Sequence, residues 1–188
     1  ERTAVHDLIV LDAPAAGHAI SFLRSASGLA DAVKVGPINS QADDVLELLN
    51  DPARCRVVLV TVPEETPVNE LIQTAYNLED DVGVALGPVV VNGVVADLPG
   101  LDLDPEDAAR QASATLIPGE ADLLRAAADF RRSRRGLQQS QLDRMAAELP
   151  LPQLLLPYLV TSQLDRDHLD LLADALLLRI ADLGGVAP

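Results

Sequence analysis

Asp12 closes an apolar run, Leu8–Leu11, and is followed by Ala-Pro-Ala-Ala and then Gly17-His18. A lone carboxylate at the exit of a buried strand can hold a magnesium ion, usually through water, beside the phosphates of a nucleotide. A glycine just beyond it lets backbone N–H groups approach a phosphate oxygen with no side chain in the way. The same aspartate could instead cap a helix that begins near Ala16, and its residue type fits both tasks. Similar groups stand where other apolar runs end: Pro63-Glu64-Glu65 after "CRVVLVTV", Asn92-Gly93 in "GPVVVNGV" and Pro157-Tyr158 after "QLLLP". They are either ligand contacts or the ordinary polar starts of turns.

The elements that must position these groups follow from the apolar periodicity. Short, partly β-branched runs predict strands over 7–12, 55–62, 87–94 and 153–157. Helical patterns cover 17–33, with Gly28 as a point of breakage, and 38–50, introduced by Pro37. A further helix is expected over 66–80, with Thr66 as N-cap and Pro67 at the first helical position. Beyond a loop at 95–104, helices are predicted over 105–115, 120–148 and 162–183. Strands alternating with helices imply an α/β fold: a single domain, 1–188, with a parallel sheet flanked by helices on both faces. Nearly continuous apolar strands fit burial from both sides. Ligands bind such sheets at the carboxyl ends of the strands, where Asp12, Glu64, Asn92 and Pro157 all fall.

Composition removes several classes of function. The 14 Lys+Arg against 29 Asp+Glu leave a net charge of −15, which repels phosphate backbones and disfavours nucleic-acid binding. Aromatic residues make up 2% with no Trp, so base-stacking platforms are lacking. Cys55 stands alone, which excludes an internal disulfide and a structural zinc on a Cys-x-x-Cys pair. No apolar run approaches the ~20 residues of a membrane span, and no signal peptide is visible. A cytoplasmic protein without an integral membrane segment is expected.

"DAPAAGH" resembles the switch II segment of the anion-transporting ATPases, which include arsenite-pump ATPases and those that target tail-anchored membrane proteins. The usual pattern there is D-T-A-P-T-G-H. Asp, Gly and His keep their spacing, Pro is one place earlier, and Ala replaces both Thr. The stretch from "VTVPEETPVNE" to "GPVVVNGV" is similar to the family's strand, Pro-Glu turn, helix and second strand. "LPQLLLPYL" is similar to its last strand. The resemblance implies a P-loop NTPase-like, Rossmann-like three-layer fold using ATP and Mg2+. It also implies roles: Asp12 linked to magnesium, Gly17 offering its N–H near the γ-phosphate and His18 moving with nucleotide state. Asn92 would read the adenine, Pro157 would wall it, and Glu64 would sit in the Pro-Glu turn beside the nucleotide.

A phosphate loop, G-x-x-x-x-G-K-[ST] or the family's Lys-Gly-Gly variant, is missing. The only lysine, Lys34, has neither a Gly-rich loop before it nor Ser or Thr after it. With the chain also starting at Glu1, almost inside its first strand, the expectation is the C-terminal part of a longer ATPase, incomplete at the N-terminus and inactive alone. The intact protein would be a homodimer or pair with a paralogous ATPase. The alternative is a non-hydrolysing regulatory or nucleotide-binding module that pairs with a P-loop-bearing partner. A partition-type ATPase fits less well with Gly17-His18 and the Pro-Glu-Glu turn. Arsenite capture needs several thiolates, and a groove for a transmembrane helix commonly uses Met side chains; the chain has one Cys and one Met, Met145. His6 and His168 read as solvated or locally satisfied. Arg131, Arg132, Arg134 and Arg135 read as a solvated helix face or a docking site for an acidic partner.

Overall fold

A computed structural model describes residues 6–32 and 36–184, so Lys34 lies outside the described residues. The chain forms two compact units: Glu1–Val57 with Gln73–Leu86, and Val58–Ile72 with Gly87–Pro188.

In the first unit, α1 (Ala16–Ala32) packs beside α2 (Pro37–Asn50). α1 continues through Gly28 without a break. Pro37 opens α2 because its fixed φ suits the first turn, where its missing N–H costs nothing. Ala42 is buried, and Leu46, Leu48 and Leu49 are half-buried on the same helix. A π-helical turn, Leu78–Val82, stops at Gly83, whose φ of 76 closes a bond from its N–H to the Leu78 carbonyl. Leu78, Ala75 and Val84 are buried here.

The strand expected over 7–12 does not form. Residues 8–11 run outside any strand, and Leu8, Ile9, Val10 and Leu11 are 78%, 63%, 83% and 70% exposed. An apolar run becomes a strand only when another strand satisfies its backbone groups. Among the described residues none pairs with this one.

The second unit holds a three-stranded sheet, β1 (Val60–Thr61), β2 (Val89–Val94) and β3 (Gln153–Pro157), parallel throughout and in chain order. The α/β class and the parallel pairing are as expected. β1 is much shorter than the run 55–62, and its residues alternate. Thr61 and Pro63 are buried, whereas Val58, Val60 and Val62 are exposed. Burial from both sides thus fails at β1.

The helix α3 (Glu65–Asn77) follows β1 and starts earlier than expected. The Val68 N–H donates to the Glu64 carbonyl at 3.0 Å, so Glu64, not Thr66, occupies the cap position. Pro67 is tolerated in the first turn, where N–H groups have no intrahelical partner. After β2 comes α4 (Pro105–Gln111), whose N-cap Asp104 accepts from the N–H groups of Glu106 and Asp107. The Arg125 side chain bonded to Asp104 holds that carboxyl below its ordinary value, against the opposing effect of desolvation. α5 (Glu120–Glu148) returns the chain towards β3. Its buried residues Gln138, Leu142 and Met145 continue to Leu149, a spacing that lines one helix face. They form a core with Val68 and Leu71 of α3, Val89 and Val91 of β2 and Leu154 of β3. α6 (Arg166–Gly184) lies against β3. No helix among the described residues is long and apolar enough to cross a membrane.

Candidate functional site

The expected site residues divide between the units. Asp12, Gly17 and His18 belong to the first. The carbonyl of Ala15 accepts from the N–H groups of His18 (2.9 Å) and Ala19 (3.1 Å), which makes Ala15 the cap of α1. Asp12 stands upstream of the cap, exposed, so the capping reading of this aspartate fails. Gly17 and His18 form the exposed first turn of α1. A Cβ built on Gly17 meets nothing within 4 Å, so packing does not require glycine there. The structure thus presents one solvated carboxylate, Asp12, a few residues ahead of the exposed first turn of α1. Among the described residues no group of three or more His, Cys, Asp or Glu could hold a metal directly.

Glu64, Asn92 and Pro157 belong to the second unit. Glu64 lies just past β1, Asn92 near the end of β2 and Pro157 at the end of β3. Because the strands are parallel neighbours, all three sit at one edge of the sheet, formed by the carboxyl ends. Glu64 is ion-paired with Arg134 of α5 at 3.2 Å. Val91 pairs with Leu155 and Val94 with Pro157, so Asn92 and Gly93 together oppose Leu156 alone. This is a β-bulge, and the φ of 76 at Gly93 is the left-handed conformation that glycine adopts without strain. The bulge leaves Asn92 exposed while Val91 is fully buried. The Tyr158 N–H then donates to the Val94 carbonyl at 2.9 Å, tying the two strand ends together.

The buried face of α5 carries a residue that the sequence reading passed over. Gln138 is 4% exposed. Its Oε1 accepts from the Val95 N–H at 2.8 Å, and its Nε2 donates to the Gly93 carbonyl at 3.0 Å. The available signal was an uncharged amide in register with Leu142 and Met145 on a helix otherwise rich in arginine.

The four clustered arginines turn inward to their own chain. Arg131 donates to the Ala96 carbonyl (3.0 Å) and Arg132 to the Leu101 carbonyl (2.6 Å). Arg135 pairs with Asp97 at 3.2 Å, and Arg134 holds Glu64. Three of them line a cavity of about 260 Å³ with residues 96–102, and they pin that loop. His168 is locally satisfied: its Nδ1 lies 2.5 Å from the Asp165 carboxylate. The backbone N–H and then the ring of His168 hold Asp165 below the ordinary carboxylate value.

No family model matches the chain. ATPase BagA of Mycobacterium tuberculosis is 32% identical over 125 residues, 66% of this chain and 34% of BagA. A Halobacterium salinarum protein, provisionally named an arsenical pump-driving ATPase, is 30% identical over 95 residues, 46% of this chain and 15% of its own length. The chain is thus related to proteins named ATPases, and its match to each spans about a third of their length or less.

Proposed function

We propose that this relative of ATPases forms the phosphate-sensing and base-binding part of a cytoplasmic ATPase similar to the anion-transporting family. The intact protein couples ATP binding and hydrolysis to a conformational change, as a homodimer or with a paralogous ATPase. The observation that carries this reading is the placement of Glu64, Asn92 and Pro157 along one carboxyl edge of adjacent parallel strands, where open sheets bind ligands.

In this reading Asn92 contacts the adenine edge, because an amide offers both a donor and an acceptor. Pro157 supplies an apolar wall, and Glu64, held by Arg134, borders the nucleotide. Asp12 holds magnesium through water. Bound Mg2+ supplies charge neutralisation to the β- and γ-phosphates. Gly17 offers its N–H to a phosphate oxygen, and His18, exposed on the first turn of α1, is free to follow the state of that phosphate.

Asn92→Ala in the intact protein raises the KM for ATP about 3–10-fold, the worth of one or two neutral hydrogen bonds, with kcat little changed. Base contacts are shared by ground and transition states, so KM carries the loss. The preference for ATP over GTP narrows with it. Steady-state kinetics with both nucleotides provide the check, and unchanged KM and preference remove Asn92 from the site.

A further inference from the structure

We infer that Gln138 is a positioning residue for base recognition: its amide clamps the β2 bulge and so sets the orientation of Asn92. The inference rests on the nucleotide reading of Asn92 given above and goes beyond it to a residue on another element.

A bulge costs the ladder its regular bonds, and the freed backbone groups need partners when buried. Here the groups are the Gly93 carbonyl and the Val95 N–H, which flank the end of β2. Gln138 meets both, at 3.0 and 2.8 Å. A glutamine amide carries a donor and an acceptor on one planar group, as a peptide unit does. It therefore takes the place of a neighbouring strand at this point only. Leu142 and Met145, one and two turns further along the same face, are buried and hold the helix in register against the sheet. Arg131 fastens the Ala96 carbonyl, a little further on, from the same helix. Asn92 precedes the clamped carbonyl directly, and the left-handed Gly93 makes the backbone direction there depend on what holds it.

The test compares wild type, Asn92→Ala, Gln138→Met, Gln138→Glu and the double variant N92A/Q138M, all in the intact protein, by ATP and GTP kinetics. Gln138→Met keeps the bulk and removes both hydrogen bonds. It is expected to raise the KM for ATP about 3–10-fold and narrow the ATP/GTP preference, with kcat within about twofold. The double variant should be no worse in KM than Asn92→Ala, because both changes act through the same contact. Gln138→Glu keeps an acceptor for Val95 but sets a carboxylate oxygen against the Gly93 carbonyl, so it should shift KM and base preference in the same direction and by at least as much as Gln138→Met. It also decides the matter if Gln138→Met does not fold. A folded Gln138 variant with wild-type KM and base preference, beside an effective Asn92→Ala, overturns the inference alone. A silent Asn92→Ala overturns the nucleotide reading, and the inference with it. Additive effects in the double variant also overturn it, since they would place Gln138 outside the Asn92 contact.

Discussion

Asp12→Asn lowers ATP turnover of the intact protein by about 10²–10³-fold, the usual cost of losing one preorganised electrostatic contact to a transition state. Phosphoryl transfer is catalysed almost wholly by positioning and charge, so a carboxylate that orients the metal's water shell matters most as the γ-phosphoryl group leaves. Asparagine keeps the size and the hydrogen-bonding capacity and removes only the charge. Asp12 is exposed and lies ahead of the helix cap at Ala15, so stability should change by no more than about 0.5 kcal/mol, as at other surface positions. Turnover and melting temperature, measured side by side, separate chemistry from folding. Full turnover in the variant would end the magnesium assignment.

Met145→Ala destabilises the second unit by about 2–5 kcal/mol, in the range measured for buried large-to-small changes. Met145 is 0% exposed, on the face of α5 shared with Gln138, Leu142 and Leu149. Truncation removes apolar contact and leaves a cavity, because helix and sheet are held in place by the bonds of Gln138 and Gln153 as well as by packing. Urea unfolding should show a lower midpoint with an unchanged slope. Leu137→Ala serves as the control: that side chain sits one residue from Gln138 and is 69% exposed, so its loss should be close to neutral. A cost for Met145→Ala no larger than that of the control would mean that the unit is not cored on this face of α5.

What the sequence disclosed follows from how local each feature is. α5 and β3 have the expected bounds, 120–148 and 153–157, since a long uninterrupted helical pattern and a short apolar run between prolines are both local signals. The run 7–12 failed because strand formation depends on a neighbour, and apolarity reports only a capacity for burial. β1 failed in part for the same reason: its partner β2 engages it only at Val60 and Thr61. The start of α3 was misplaced because Thr66 and Pro67 carry the strongest start signals, yet the carbonyl of Glu64 takes the first bond. Asn92 and Pro157 were put forward from the strand ends and a resemblance, and β2 and β3 do lie side by side. Gln138 and Arg134 were not, because each acts on a residue more than forty positions away, and no local pattern encodes that meeting.

The exposed segment Leu8–Leu11 has a consequence for the protein's behaviour as a colloid. Four exposed aliphatic residues in a row, which pair with no strand among the described residues, form a template on which the same segment of another copy can add as a strand, the first step towards aggregation. Asp7 and Asp12 bracket the run, and the net charge of −15 keeps copies apart at low salt. Each flanking carboxylate therefore acts as a gatekeeper. Removing the charge of Asp12 should leave the melting temperature alone and still hasten the appearance of light scattering, more so as salt screens the remaining repulsion. Asp12→Asn should therefore show two separable effects: a loss of turnover present from the first measurement, and a growth of light scattering that develops on storage.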